Sequence, residues 1–524
     1  MAQNRTLITN IASLINQEQG VIKKDHGGHI RVCLVYPNTY GIGMSNLGFR
    51  IVYFLLNDMI DVVCERTFLP ENISDYKRTN TEIFSYESAT ALSNFDIIAF
   101  SVSFENDFPN IVKILDLANI PLYSANRNHH HPLIIMGGAC CYLNPEPVAD
   151  FFDICFVGEA EGMMSNFIEI FKKSNSKDEL FNYIKDTKGI YIPSINEKKV
   201  EGCFIEDIDK LKFFPQLITP NTEFSNMYLV EAQRGCPWRC RFCAISAIYS
   251  DKRKRGLTSI QTEIEKASKY SKRIGIIGPS LTEYPHIMEI LGIEGVEFSI
   301  TSLRANSRAI EIISKINKNS VSIAIESASE KLRMAINKRL KTEDIMETCR
   351  QILRSDRSTL KLYFMIGLPM ETDDDVMGIV EMVKEIRKTS KKGSIALTVS
   401  VFVPKPITPL QWHSMERLNI IKNRLKMIKQ GFKAGDNVKV THDSIKNSYM
   451  QGFFARGDRR VSRALERMVN KDDWMQAADE VGINVDEYMY RQFEFDEKLP
   501  WDFLYTDEYK AHLIKEYNEY MEKD

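Results

Sequence analysis

Between residues 30 and 160, short runs of Val, Ile, Leu and Phe alternate with longer stretches in which apolar residues recur every three or four positions. The short runs are Arg31–Tyr36 (RVCLVY), Asp61–Glu65 (DVVCE), Asp96–Phe104 (DIIAFSVSF), Leu133–Met136 (LIIM) and Asp153–Val157 (DICFV). They are apolar on both faces, the pattern of parallel strands covered on each side by helices. Ser45–Asn57 and Phe108–Ala118 carry the helical pattern between them. The alternation predicts a doubly wound α/β sheet, with ligands bound at the carboxyl ends of the strands. Gly and Pro punctuate those ends: Pro37 to Gly43, Gly137-Gly138 and Gly158.

Residues 165–225 are less regular, and a second alternating series follows. Its expected strands are 227–233, 273–278, 296–302, 320–326, 360–366 and 395–402. Helical patterns fill the gaps, such as Asp373–Lys388, with an acidic first turn and a basic last one. Six βα units in about 200 residues predict a partial, open (β/α)6 barrel of the TIM type. From about residue 426 the pattern turns helical, charged and aromatic. The expected organisation is an extension (1–28), a doubly wound domain (29–185), a linker (186–225), a barrel (226–425) and a mainly helical region (426–524).

Composition narrows the class rather than the function. Of the 524 residues 44% are hydrophobic and 26% charged, ordinary values for a globular chain of two or three domains. Lys and Arg total 68 against 70 Asp and Glu, so no global basic field points to nucleic acid. The first residues are polar, and no apolar run approaches the roughly 20 residues of a membrane span, so a soluble cytoplasmic protein is expected. The run His129-His130-His131 sits in a polar stretch and reads as a solvated loop.

Ten cysteines are present, and with no export signal disulfides explain them poorly. Seven are scattered in apolar surroundings, where a buried thiol is the ordinary reading. The other three lie within eight residues: Cys236-Pro-Trp-Arg-Cys240-Arg-Phe-Cys243. Zinc sites pair two close cysteines with a second pair further on, and no such fourth ligand follows here. Three thiolates hold three irons of a cubane and leave the fourth open for chemistry. A zinc knuckle or three buried thiols are the competing readings. Arg239 and Arg241 either favour the thiolates or are solvated loop charges.

C-x3-C-x2-C with an aromatic before the third Cys, in the loop after the first barrel strand, resembles the radical S-adenosylmethionine superfamily. The resemblance implies a [4Fe–4S] cluster on Cys236, Cys240 and Cys243. It further implies S-adenosylmethionine on the open iron, a 5′-deoxyadenosyl radical, and a reductant such as flavodoxin or ferredoxin. The family's Gly-Gly-Glu after the second strand is matched by Gly278-Pro279-Ser280, without the acid; Glu283 follows. The resemblance assigns Ser302 and Glu326 to the ribose, Arg304 to the methionine carboxylate, and the stretch around Gly367 to adenine. Each could equally be a cap or turn residue.

A doubly wound domain before such a barrel resembles the cobalamin-binding domain of cobalamin-dependent radical enzymes. The residues that carry this are Ser101 and Ser103 after the third strand, Gly137 and Gly138 after the fourth, and Gly158 after the fifth. The family's Asp-x-His-x-x-Gly loop is replaced by Asn38-Thr-Tyr-Gly-Ile-Gly43, which offers cobalt no His. Tyr36–Gly48, Asn144–Pro147, Pro404–Trp412 and Arg456–Arg460 resemble the B12-binding branch of these proteins. Arg456, Arg459 and Arg460 could hold an oxyanion or begin a solvated helix. The expected activity is radical methylation of an unactivated carbon with cobalamin as methyl carrier. A radical rearrangement or cyclisation is the alternative, as is modification of an RNA or protein docked through 426–524.

Overall fold

Strand β1 (Ile30–Tyr36) is flanked by β2 (Val62–Phe68) on one side and β3 (Ile97–Ser101) on the other, then by β4 (Leu133–Gly137) and β5 (Ile154–Phe156). All five run parallel; β6 (Ile190–Tyr191) closes the edge antiparallel to β5. The order β2-β1-β3-β4-β5-β6 reverses direction between β1 and β3, which places a topological switch point there. In β2 every residue is buried, as two covered faces require. The computed structural model describes residues 2–195, 198–213, 216–249, 251–300, 303–316, 320–355, 359–390 and 392–522.

The β2 strand runs three residues past the expected stop at Glu65. Arg66, beyond that expected stop, is fully buried. Its guanidinium meets Glu18 at 2.7 Å and Glu87 at 2.6 Å, and its charged carbon stands 4.9 Å from the Tyr53 ring. A buried charge persists only when paired in this way. Glu18, just beyond the first helix (Ala2–Ile15), is thereby tied to the sheet.

The second series forms a parallel arc. Strands β7 (Tyr228–Glu231), β10 (Arg273–Ile277) and β11 (Glu297–Ile300) make one sheet, and a short pair, β8 (Gln233–Arg234) with β9 (Arg253–Lys254), lies beside the first turn. Strands β12 (Ser320–Glu326), β13 (Thr359–Ile366), β14 (Ser394–Val401) and β15 (Val438–His442) make the other. Among the described residues one isolated parallel bridge, Leu303 to Ile323, links them. Among the described residues no strand pairing closes the arc, and a seventh parallel strand, β15, lies in the stretch expected to begin the helical region. Its alternation is of half-exposed and exposed residues, too weak a signal to read as a buried strand. In β12, in β14 and in β13 as far as Phe364 every second residue is buried; in the opposite rows Ser322, Lys361 and Thr398 are partly exposed and Tyr363 is exposed.

Two compact units result: Met1–Met227 with Phe454–Val485 and Lys498–Thr506, and Tyr228–Phe453 with Asp486–Glu497 and Asp507–Asp524. The C-terminal stretch is thus shared between both units. In the second, Trp412 is fully buried, with Phe495 edge-on at 5.2 Å and Tyr517 at 6.1 Å. In the first, Arg459 pairs with Glu146 at 2.9 Å, and Arg460 with Asp458 at 2.7 Å. The guanidiniums of 456–460 that could have held an external oxyanion include two that the chain's own carboxylates occupy. Among the described residues no helix is long and apolar enough to cross a membrane.

Candidate functional site

The three cysteines lie where the polypeptide leaves β7. Gly235 takes φ +76°, and a Cβ there would stand 2.5 Å from the Asp251 carbonyl, so the turn into Cys236 requires glycine. Cys240 is buried; Cys236 and Cys243 are partly exposed. The Cys243 N–H donates to the Cys240 carbonyl at 2.9 Å, and Cys243 precedes a short helix, Ala244–Ile248. Among the described residues no three Cys, His, Asp or Glu side chains are gathered tightly enough to hold a single metal ion. Thiolates on separate irons of a cubane do not meet at one point, so the all-sulfur donor set fits a cluster better than an ion.

Two residues that sequence reasoning missed hold this loop. Asn337, at φ +61°, donates its amide to the carbonyls of Trp238 and Arg239 at 3.0 and 3.1 Å, and its own carbonyl lies 3.8 Å from the Cys240 sulfur. Lys338 follows it and faces Cys240. Burial pushes the Cys240 thiol up to about 12, and the Lys338 ammonium opposes that shift. Burial also raises the Cys243 thiol. Burial alone would lower Lys338, but Glu326 at 2.8 Å and Cys240 outweigh it and the ammonium is held above its usual range. The cation facing the buried thiol is therefore Lys338. Arg241 turns instead to Glu516 and Glu519, while Arg239 is exposed, 3.7 Å from Asp251. Nothing local in sequence marks Asn337 or Lys338, which lie about a hundred residues away at the end of the helix Glu330–Ala335.

The strand-end residues of the resemblance have different surroundings. Gly278 is packed against Gln233, whose side chain a Cβ would approach to 2.8 Å, and Gln233 donates to the Pro279 carbonyl. Arg304 lies 3.6 Å from the Trp238 ring centre and donates to the Lys338 and Arg339 carbonyls. Glu326 sits at a β-bulge with φ +71°. Gly367, at φ +86°, donates its N–H to Glu371 at 2.6 Å, and Arg424 binds that carboxylate at 2.9 Å. Ser302 lies outside the described residues. Around this end of the arc, Gln233 Oε1, Trp238 Nε1, Ser246 Oγ, Ser280 Oγ and Thr282 Oγ1 are buried with no protein partner. Orphaned buried polar atoms are uncommon and call for a ligand or water.

A cavity of about 280 Å3 opens on Cys240 and Cys243. Trp238, Arg339, Thr408 and His512 are among its walls, so residues 407–409 border it. Backbone conformations nearby are unusual: Arg239, Ser280, Arg339, Met370 and Ile407 all take positive φ.

In the first unit, Ser101 pairs with Gly137 across β3 and β4, and Ser103 Oγ accepts from Asn46 at 3.1 Å. Gly138, at φ +100°, has the Val102 carbonyl 2.6 Å from where a Cβ would be, and Gly158 has the Cys203 carbonyl at 2.4 Å. Those two glycines are required by the chain's own packing. Gly137 alone of the three has open space over its Cα. After β1, Tyr40 fills the turn, its hydroxyl bound to Glu18 and Thr219 and its ring stacked on Tyr86.

Comparison with known proteins agrees with this geometry. Residues 48–193 match the family "Radical SAM proteins, N-terminal", and residues 230–383 match the "Radical SAM superfamily". The two spans cover more than half of the chain, and it belongs to the radical SAM superfamily. An uncharacterized protein of Methanocaldococcus jannaschii is 27% identical over 90% of this chain and 97% of its own length. A tRNA-2-methylthio-N(6)-dimethylallyladenosine synthase of Clostridium tetani is 24% identical over 41% of this chain. The ribosomal protein uS12 methylthiotransferase of Petrotoga mobilis is 24% identical over 47%. The match spans 53% and 65% of those two relatives. Among solved structures, the cobalamin-dependent S-adenosylmethionine radical enzyme OxsB covers 94% of this chain and is covered to 79%, at 14% identity and a TM-score of 0.48.

Proposed function

We propose that this chain holds a [4Fe–4S] cluster on Cys236, Cys240 and Cys243, cleaves S-adenosylmethionine reductively, and methylates an unactivated carbon with a cobalamin held by the N-terminal sheet. The observation that carries the first part is the three-cysteine loop at the carboxyl end of β7, whose cavity is lined by Trp238 and Ser246, each with a buried polar atom that the protein leaves unpartnered. A cluster held by the thiolates of Cys236, Cys240 and Cys243 would keep one iron open and, reduced by a flavodoxin or ferredoxin, would supply the electron for reductive cleavage of the sulfonium bond. Lys338 supplies the charge that favours the Cys240 thiolate. Gln233, Ser280 and Thr282 offer hydrogen-bonding atoms without first breaking a protein bond at those atoms. Glu326 and Arg304 have the right charges for the ribose hydroxyls and the methionine carboxylate. Each would exchange a chain partner for the ligand.

Cobalamin supplies a methyl group at cobalt when bound. The strand order of the N-terminal sheet and the open face at Gly137 support that reading, while Asn38, Thr39 and Tyr40 offer cobalt no imidazole from the loop after β1. A second reading, modification of an RNA or ribosomal protein, is favoured by the names of the methylthiotransferase relatives.

Anaerobic loading with iron, sulfide and hydroxocobalamin, followed by S-adenosylmethionine and dithionite, tests both parts. The expected result is the broad cluster absorbance, a retained corrin spectrum and formation of 5′-deoxyadenosine. Loss of corrin on gel filtration would remove the methyltransferase part alone. Zinc, or no metal, on the cysteines would remove the whole.

A further inference from the structure

One side chain ties the cysteine loop to the end of the chain, and the chemistry above does not use it. Arg241, between Cys240 and Phe242, has a side chain only 3% exposed. Its guanidinium fork is occupied on all three nitrogens. Nε donates to Glu516 at 2.9 Å, Nη2 to Glu519 at 2.7 Å, and Nη1 to the Ala335 carbonyl at 2.7 Å. Its backbone N–H donates to the Ile336 carbonyl at 3.0 Å.

Glu516 and Glu519 are three apart on the helix Asp507–Met521 and so share a face. The same helix is pinned further on, where the Tyr520 hydroxyl donates to the Pro369 carbonyl at 2.5 Å. Glu516 also borders the cavity that opens on Cys240 and Cys243. A rigid fork can serve two carboxylates and a carbonyl at once; an ammonium on a flexible stem lacks that geometry. A loop residue that merely carried charge would be solvated. This one is buried among three acceptors from two separate elements.

We infer that Arg241 is a positioning residue. With Glu516 and Glu519 it fixes the Cys240–Cys243 segment against the C-terminal helix, which serves as the buttress for the two thiols. The function of this clasp rests on the reading of the cysteines as cluster ligands, but the clasp itself belongs to the bare chain.

The test uses full-length R241Q, R241K, E519Q and E516Q/E519Q, with R491Q as the control, since it removes a surface pair to Glu497 in the same unit. In the metal-free chain, amide hydrogen exchange of residues 236–249 rises about tenfold in R241Q and E516Q/E519Q, as expected for loss of charge-assisted hydrogen bonds. It rises less in R241K and E519Q, and R491Q leaves it unchanged. In the iron-loaded protein the cluster of R241Q bleaches faster in air, and its reduced-state paramagnetic resonance spectrum differs from wild type. Exchange in R241Q and E519Q equal to that in R491Q overturns the inference, as does a rise spread evenly over the whole second unit. If the wild type takes up no cluster, the functional reading fails, yet the exchange data still decide the clasp.

Discussion

Two places, one in each unit, treat buried polar groups in opposite ways. In the N-terminal sheet, Arg66 is enclosed by Glu18 and Glu87, and the bare faces of Gly138 and Gly158 are filled by neighbouring backbone. In the parallel arc, Gln233, Trp238, Ser246, Ser280 and Thr282 each keep a buried polar atom without a partner, in the same unit as the Cys240 and Cys243 thiols, which burial has made hard to ionise. A group that satisfies itself stabilises the fold; one left unsatisfied lowers stability until something binds. By that criterion the cysteine end of the arc suits the ligand proposed for it, whereas the sheet, at the positions of Arg66, Gly138 and Gly158, is closed on itself.

Substitutions sharpen this contrast. The largest effect belongs to Cys240→Ala: 5′-deoxyadenosine formation falls by more than about 10³-fold, measured by mass spectrometry, while the thermal midpoint stays near wild type. Arg66→Met works the other way. It leaves Glu18 and Glu87 buried and unpaired, costs about 3–5 kcal/mol in denaturant melts, and spares the cysteine loop's metal uptake. An equal loss of uptake would erase the distinction between the units.

Asp107→Asn comes next and depends on pH. Burial raises the Asp107 carboxyl from 3.8 to about 7, against a hydrogen bond from Asn38. The folded state therefore binds the proton more tightly than the unfolded one. The stabilisation is complete below about pH 3.8 and is lost as pH rises through about 7. The asparagine variant lacks this dependence, so its melts should exceed wild type by up to a few kcal/mol at pH 8 and not at pH 4. Thr282→Val removes an unpartnered hydroxyl in an isosteric way. It should raise ligand-free stability by up to about 1 kcal/mol and weaken S-adenosylmethionine binding in calorimetry. Arg460→Ala, at an exposed pair with Asp458, should change stability by less than about 0.5 kcal/mol and serves as the baseline.

Much of the architecture was legible in the sequence because buried strands announce themselves as apolar runs. The five parallel strands of the first sheet and six of the arc fall within a few residues of their expected spans. Where legibility failed, tertiary partners decided. Strand β2 continues through Arg66 because two distant carboxylates enclose it, and β15 is a half-exposed strand with no apolar run to reveal it. At the site, the cysteine spacing could be read directly, since those ligands are close in sequence. Asn337 and Lys338 could not, because they reach the loop only after β12 and its helix have formed. The roles first given to Arg239 and Arg241 followed from adjacency in sequence, which says nothing about which way a side chain turns.

Ile407 offers a last consequence. A β-branched residue at φ +59° is disfavoured by the contact between its Cβ and its own backbone, and glycine would relieve that strain. The chain nevertheless places isoleucine there, 6% exposed and on the rim of the cavity. Its side chain must therefore contribute more by packing than the turn loses. Among diverging copies of this chain, position 407 should drift only toward residues that fill the same space or that, like glycine or asparagine, tolerate the same twist. Such a record of accepted changes would outline the cavity mouth with no ligand in view.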